Sequence, residues 1–400
     1  MPSPIKVLFI SYDGLTDPLG QSQVLPYLEG LSQAGYEITV LSAEKRENFA
    51  RRASLIGARL KARGLRWAYI FYTKKPPVFS TLWDLRQMRR RAIQLHRQSP
   101  FALLHCRSYL SALLGEYFQR RWNVPFIFDM RGFWADERVE GGLWNLRNPL
   151  FKWIYRYFKN KEKDFLQKAA HTISLTHEAQ QVMATWHLPQ ASPVAVIPCC
   201  VDLEVFRPPV SPPAKGFALA YLGSIGTWYM LDEMLLFFAR LRRLRPEARF
   251  LFITTEAPAP IQARAQALGI PPAHLHIQAA ERAEVPGWLA QSEAAIFFIK
   301  PVFSKKASSA TKMGEILAMG LPVITNVIGD HRHLFAQYEL GILLEELTEA
   351  SFDQALQQWD RLAHIDPDAL RAAAKAYFSL EKGVAAYQEV YRQVLERSEK

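Results

Sequence analysis

Hydrophobic and polar positions along this chain alternate between two rhythms. Residues 5–11 (Ile-Lys-Val-Leu-Phe-Ile-Ser) form a β-branched and aromatic run, and the turn-rich segment Tyr12–Gly20 follows. Val24, Leu25, Leu28 and Leu31 then recur at helical spacing up to Gly35, before Glu37–Ser42 returns to a strand-like run. Strand, loop, helix and strand in this order predict a βαβ unit and a parallel sheet. Strand-like runs at 102–105, 126–128, 171–174 and 194–197 continue the pattern. Pro208, Pro209, Pro212 and Pro213 then interrupt both helix and sheet and predict a linker. A second α/β pattern starts afresh with a strand at 217–222, a turn at 223–226 and a helix over 231–244. Strands at 249–254, 274–277, 294–299 and 322–325 complete it. The expected architecture is therefore α/β, with two doubly wound domains over residues 1–200 and 201–375 and a last helical segment over 376–400. Ligands of such sheets sit at the carboxyl ends of the strands, which predicts a central cleft between the two sheet edges.

Composition narrows the class. Hydrophobic residues at 49% and charged residues at 22% describe a globular chain and argue against disorder. The longest uninterrupted apolar stretches, such as 294–299, are far short of the ~18 residues of a membrane-spanning helix. Val7–Ile10 is too short for the apolar core of a signal peptide and reads as a first strand. A net charge of +11 favours anionic partners: phosphates, nucleic acid or an anionic membrane face. Three cysteines without framework spacing point to a reducing, cytoplasmic compartment.

The most informative segment is 300–328. Lys300, Lys305 and Lys306 lie in a loop, Ser308 or Ser309 is placed to cap a helix reaching Met319, and Gly320 stands where a left-handed C-terminal cap belongs. Free amides at a helix start, hydroxyls and lysines together suit a phosphate. Thr311, Lys312 and Glu315 share one helix face, so Lys312 can meet a phosphate while Glu315 accepts from a pair of ribose hydroxyls. The plainer reading of the same residues is a solvated basic loop with an exposed Lys–Glu pair.

Lys312-Met-Gly-Glu315-Ile-Leu-Ala-Met-Gly320-Leu-Pro322-Val-Ile resembles the donor-binding segment of family 4 glycosyltransferases. Ile197-Pro-Cys-Cys-Val-Asp202-Leu-Glu-Val-Phe206 is similar to that family's interdomain stretch, Tyr221-Leu-Gly223-Ser to the opening of its second domain, and Asp17-Pro-Leu-Gly20-Gln-Ser-Gln-Val24 to its N-terminal loop. The resemblance implies the two-domain Rossmann-like GT-B fold, a last helix crossing back to the N-terminal domain, and metal-independent, retaining sugar transfer from a nucleotide-diphosphate sugar. The donor is expected on the C-terminal domain, at Gly223, Ser224, Lys300, Lys305, Lys306, Ser308, Ser309 and Thr311, with Gly20 letting the first loop approach its phosphate. Glu315 matches the second of the family's two framing glutamates; the first falls on Ser308. The basic pair that usually follows Gly223 is replaced by Ser224 and Tyr229, which leaves Lys300, Lys305, Lys306 or Lys312 to neutralise the leaving diphosphate.

In the N-terminal half, Leu103–Tyr109 and Phe128–Glu137 place polar residues after strands. The family often carries a catalytic histidine where this chain has Arg131, and an arginine cannot act as a base. Arg131 is expected to clamp a phosphate or an acidic acceptor. His105 is a candidate for proton transfer, and Arg107, Asp136 and Glu137 are candidates for acceptor binding, against plainer roles in a strand-end hydrogen bond and a helix cap. Asp366-Pro-Asp368 opens a helix with Asp368 as its start residue, and no metal site is expected. The absence of GxGxxG after the first strand counts against a dehydrogenase. Two basic aromatic stretches, 83–97 and 147–163, fit either packed amphipathic helices or helices lying on an anionic bilayer. No recognised nucleic-acid module accompanies the charge. The expected acceptor is a saccharide or a lipid-linked saccharide in glycan assembly, with the enzyme expected in the cytoplasm, either free or peripheral on the membrane's inner face. The rival readings are a sugar-nucleotide epimerase or hydrolase on the same fold, and a nucleotide-sugar-binding partner subunit without catalysis.

Overall fold

The computed structural model describes residues 4–398. Two compact units emerge: residues 1–197 together with 380–400, and residues 198–379. The expected breaks after 200 and 375 fall instead after Ile197 and Ser379, so the last helix, Leu380–Ser398, belongs to the first unit.

The first unit holds seven strands: β1 (Ile5–Ser11), β2 (Tyr36–Glu44), β3 (Arg66–Phe71), β4 (Leu103–Arg107), β5 (Phe126–Asp129), β6 (His171–Ser174) and β7 (Val194–Val196). They pair in parallel in the order β3-β2-β1-β4-β5-β6-β7. The chain therefore reverses direction across the sheet between β1 and β4. Register aligns Ser11 with Arg107 and Arg107 with Asp129, so one row of polar residues crosses the carboxyl edge at this switch point. β1 and β4 are buried along nearly their whole length, as expected of strands covered on both faces.

The second unit holds six parallel strands: β8 (Phe217–Leu222), β9 (Phe250–Ile253), β10 (Leu275–Gln278), β11 (Ser292–Phe297), β12 (Val323–Asn326) and β13 (Gly341–Leu344). Their order, β10-β9-β8-β11-β12-β13, repeats the same winding, with the switch point between β8 and β11. Its core joins Phe217–Leu222 and Ala294–Ile299 to Met234, Phe237, Phe238, Ile316 and Leu317. Arg371 pins the start of this unit by donating to the carbonyls of Leu203, Phe206 and Ala318. Asp366, rather than Asp368, caps the Pro367–Phe378 helix by accepting from the Asp368 amide at 3.0 Å.

Candidate active site

At the second unit's switch point, β8 ends in Gly223 and β11 leads through Ile299 to Lys300. Between them the helix Thr311–Ala318 begins. Neither Ser308 nor Ser309 caps it. The N-cap residue is Ala310, no side chain covers the first turn, and the Ser309 hydroxyl instead accepts from the Cys199 amide at 3.1 Å. Ser308 closes the short turn Phe303–Ala307 through its own amide to the Lys305 carbonyl, and Thr311 is half-buried at the first helical position. A helix start without a side-chain cap presents its orphan amides at the strand edge, where an anion is favoured. Gly320 takes the left-handed conformation expected of the C-terminal cap, with φ 66°.

Lys312 is not the exposed phosphate contact that spacing suggests. It is only 6% exposed, and its Nζ donates to the Tyr221 hydroxyl at 3.1 Å. The ammonium lies 3.5 Å from the centroid of the Tyr229 ring and 4.2 Å from that of Tyr221. Gly223, at φ 112°, lies against it: an added Cβ would sit 3.2 Å from Nζ. Burial drives the Lys312 pKa well below its ordinary value, and the Glu315 charge only partly offsets this. Lys305 is buried likewise, with Nζ 3.7 Å from the Trp228 ring, whereas Lys300 and Lys306 are exposed. Ser224 is exposed, and its carbonyl accepts from the Tyr221 hydroxyl.

Glu315 is also buried, and Arg282, after β10, donates to its Oε1 at 2.8 Å. Burial raises the Glu315 pKa; Arg282 and Lys312 pull the other way and do not win. Arg282 lies over the Phe206 ring at 4.8 Å. Its importance was invisible in sequence because it is 33 positions from Glu315 and no local pattern links them. Beside this edge, the loop after β8 lines a cavity of about 470 Å³ with Gly226, Thr227, Tyr229, Asp232 and Glu256. Asp232, Glu233 and Glu256 outnumber Arg264 in its lining, which makes it the less suitable place for a diphosphate despite its size.

The first unit's edge is built differently. Glu44, the last residue of β2, is fully buried and holds the loop after β1. Its carboxylate accepts from the Leu15 amide at 2.7 Å, the Thr16 amide at 3.1 Å, and the hydroxyls of Thr16 and Ser42. Gly20 belongs to this packing and is buried in the helix Pro18–Gln23, where an added Cβ would lie 2.2 Å from the Gly14 carbonyl. Its smallness serves the loop's own close approach.

His105 is 1% exposed, with Nδ1 2.8 Å from the Tyr391 hydroxyl and Nε2 3.4 Å from Asp129. Burial lowers its pKa although Asp129 opposes this. The ring is walled in by Phe9, Tyr387 and Tyr391, which removes His105 from proton transfer with a substrate. Asp129 also accepts from the Tyr387 hydroxyl at 3.2 Å and faces Arg131 at 3.9 Å. Arg131, at φ 60°, holds a left-handed conformation just past β5. Arg107 is buried and paired with Asp13, which keeps it at the switch point. Asp136, by contrast, is consumed internally: it accepts from the Tyr155 hydroxyl and from Lys159, each at 2.8 Å, and is not open to an acceptor. Glu137 is half-buried in the first turn of the helix Trp134–Glu140. Among the described residues, no three His, Cys, Asp or Glu side chains converge as metal ligands.

Residues 22–205 match the family described as Glycosyltransferase Family 4, and residues 204–376 match the family described as Glycosyl transferases group 1. No curated protein matches the sequence. Among solved structures, a sucrose-phosphate synthase from Thermosynechococcus elongatus superposes with a TM-score of 0.76 at 15% identity, covering 98% of this chain and 100% of its own. A glycosyltransferase from Rickettsia africae gives 0.69 at 14% identity, covering 98% of this chain and 99% of its own. HepE from Anabaena, solved with UDP and glucose, gives 0.68 at 13% identity, covering 97% of this chain and 99% of its own. At these identities the likeness is one of fold, and it spans both units.

Proposed function

Since the chain belongs to the family 4 glycosyltransferases and so transfers a glycosyl group, we propose that its donor is a nucleoside-diphosphate sugar held on the second unit. The observation that carries this reading is the pairing of buried Lys312 and Glu315 beside an uncapped helix start, each held in an environment that penalises its charge. A bound diphosphate would compensate the ammonium, and a ribose diol would give the carboxylate two donors, so ligand binding relieves both penalties at once. Lys300 and Lys306 add positive charge from the exposed loop. In this reading lysines, and no metal ion, stabilise the leaving group. HepE, a neighbour in fold, is solved with UDP-glucose, which supports trying uridine nucleotides first.

We assign retention of the anomeric configuration, with the leaving phosphate oxygen taking the acceptor's proton. Arg131 cannot act as a base and His105 is enclosed, which supports this choice. Arg131 and Arg107 would clamp an anionic group of a saccharide or lipid-linked acceptor. All three cysteines are buried and none is in a disulfide, which supports a reducing, cytoplasmic compartment.

Titration calorimetry with UDP, GDP, ADP and dTDP, followed by NMR of the product's anomeric proton, tests the reading. One diphosphate should bind, Glu315→Gln should abolish that binding, and the product should keep the donor's configuration. Consumption of the donor without any acceptor would make the chain a hydrolase or epimerase. Binding with no turnover of any donor would make it a partner subunit.

A further inference from the structure

Two helices of the first unit carry a second apolar stripe that faces solvent instead of the core. In Pro149–Lys168 the core takes Ile154, Phe158, Phe165 and Leu166. Leu150, Trp153 and Tyr157 recur at intervals of three and four on another face and are exposed, Trp153 by 64%. Leu143 and Leu146 extend the same spacing into the preceding turn and are exposed as well. In Phe79–Gln98 the core takes Met88 and Ala92, while Phe79, Leu82 and Trp83 are exposed by 70%, 58% and 53%. Exposed single hydrophobics are ordinary, but rows of large ones on two helices are not.

Charge on these helices is sorted by side. Two of the acids point inward: Asp84 accepts from the Tyr12 hydroxyl at 2.8 Å and the Thr73 amide at 2.9 Å, and Glu162 is fully buried against Tyr109 and Lys159, while Asp164 is half-exposed and paired with Lys161 and Lys168. Lys159, Lys161 and Lys168 pair with acids, and other cations point outward. Lys152, Arg156 and Lys163 on one helix and Arg86 and Arg90 on the other are exposed, with no ion-pair partner among the described residues. Both helices follow a β-strand of a parallel sheet, so their N-terminal turns, where the aromatic residues sit, lie toward the strands' carboxyl edge. That is the edge bearing Arg107 and Arg131.

We propose that this face docks the enzyme on an anionic bilayer, with Trp153, Leu150, Trp83 and Leu82 entering the interface and the outward lysines and arginines lying among anionic headgroups. Among the described residues no helix is long and apolar enough to cross a membrane, and the proposed attachment is through this face. Tryptophan suits this position because its apolar body and polar N–H match the headgroup boundary. The acceptor class that follows is a saccharide carried on a lipid, presented at the carboxyl edge of the first sheet. This last step rests on the glycosyl-transfer reading; the docking itself does not.

The full chain should float with vesicles of phosphatidylglycerol and phosphatidylcholine (3:7) at 50 mM salt. It should stay behind with phosphatidylcholine alone, and binding should fall at least tenfold at 0.5 M salt. Trp153→Ser combined with Leu150→Ser, and separately Lys152→Glu combined with Arg156→Glu, should each cut vesicle binding at least tenfold. Both leave the circular dichroism spectrum and the response to UDP unchanged, because the residues are exposed and far from Glu315 in the chain. Absence of flotation with anionic vesicles, or flotation of both variants at the wild-type level, overturns the proposal. So does concentration-dependent self-association that both variants abolish while vesicles bind nothing, which would make the face a contact between copies. If vesicles bind but no nucleotide does, docking stands and the donor assignment falls.

Discussion

The two units wind their strands in the same order, yet their carboxyl edges treat buried charge in opposite ways. In the first unit every buried acid at the edge has partners. Glu44 accepts from two amides and two hydroxyls, and Asp129 sits among His105, Tyr387 and Arg131. Burial alone would raise the Asp129 pKa, but the Arg131 charge and the His105 hydrogen bond outweigh it and hold it below the ordinary value. In the second unit burial wins: Glu315 is raised and Lys312 lowered. A polar group whose charge the fold itself satisfies is scaffold. A pair of opposite charges that the fold penalises together at a strand edge, as Lys312 and Glu315 are, is the candidate for a ligand.

The comparison breaks most visibly at Lys312. Lys312→Met keeps the length of the side chain and removes the penalised charge. Turnover of the cognate donor should fall by ~10²–10³-fold, while the unliganded protein should become more stable by ~1–3 kcal/mol. Calorimetric melting with and without the nucleoside diphosphate measures both. A variant that is less stable and equally active would place Lys312 among the scaffold residues. Because folding lowers this pKa, the gain should be full only below the folded value, shrink as pH rises above it and disappear past 10.5, the ordinary lysine value.

Asp129→Asn tests the other side. Removing one member of a buried, paired group should destabilise by ~3 kcal/mol, since Arg131 and Arg107 lose the charge that balances them. The depressed Asp129 pKa stabilises the fold above the ordinary value of 3.8 and loses that effect as pH falls through the folded value. The deficit of the variant should therefore shrink in acid. Glu315→Gln should show the reverse sign. Its raised pKa means the wild type loses stability as pH climbs above 4.5, so the variant should gain on it by ~1 kcal/mol or more toward neutrality. Chemical denaturation from pH 3.5 to 7.5 distinguishes the two, and parallel curves would erase the contrast between the units.

Much of the fold was legible because buried parallel strands read as apolar runs; β1, β8 and the helix Leu231–Leu244 lie where periodicity places them. β3 was not, since Arg66-Trp-Ala-Tyr-Ile-Phe at a sheet edge carries exposed residues on one face, and β13 is four residues opened by a glycine. In the site, Lys312 and Glu315 were found from their shared helix face. What Lys312 touches was not, because Tyr221 and Tyr229 come from β8 and the loop after it. His105 and Asp136 looked like cleft residues only while the layers that cover them, the helices Leu380–Ser398 and Pro149–Lys168, were out of view.

Arg282 gives the subtlest test, because its side chain is 40% exposed and water screens much of its effect on Glu315. Its 2.8 Å hydrogen bond fixes one carboxylate oxygen and leaves the other for a ligand hydroxyl. Arg282→Ala should weaken nucleotide binding only ~3–10-fold, as expected when one charge-assisted hydrogen bond at a partly solvated site is lost. The sharper signature lies in pH. Arg282 lowers the Glu315 pKa against burial, so without it the carboxylate stays protonated to higher pH and the acidic limb of the binding profile must move upward. Arg282→Lys should restore part of the shift and less of the affinity, because an ammonium keeps the charge but loses the planar fork. An acidic limb that stays in place would mean that Lys312, not Arg282, sets the ionisation of Glu315.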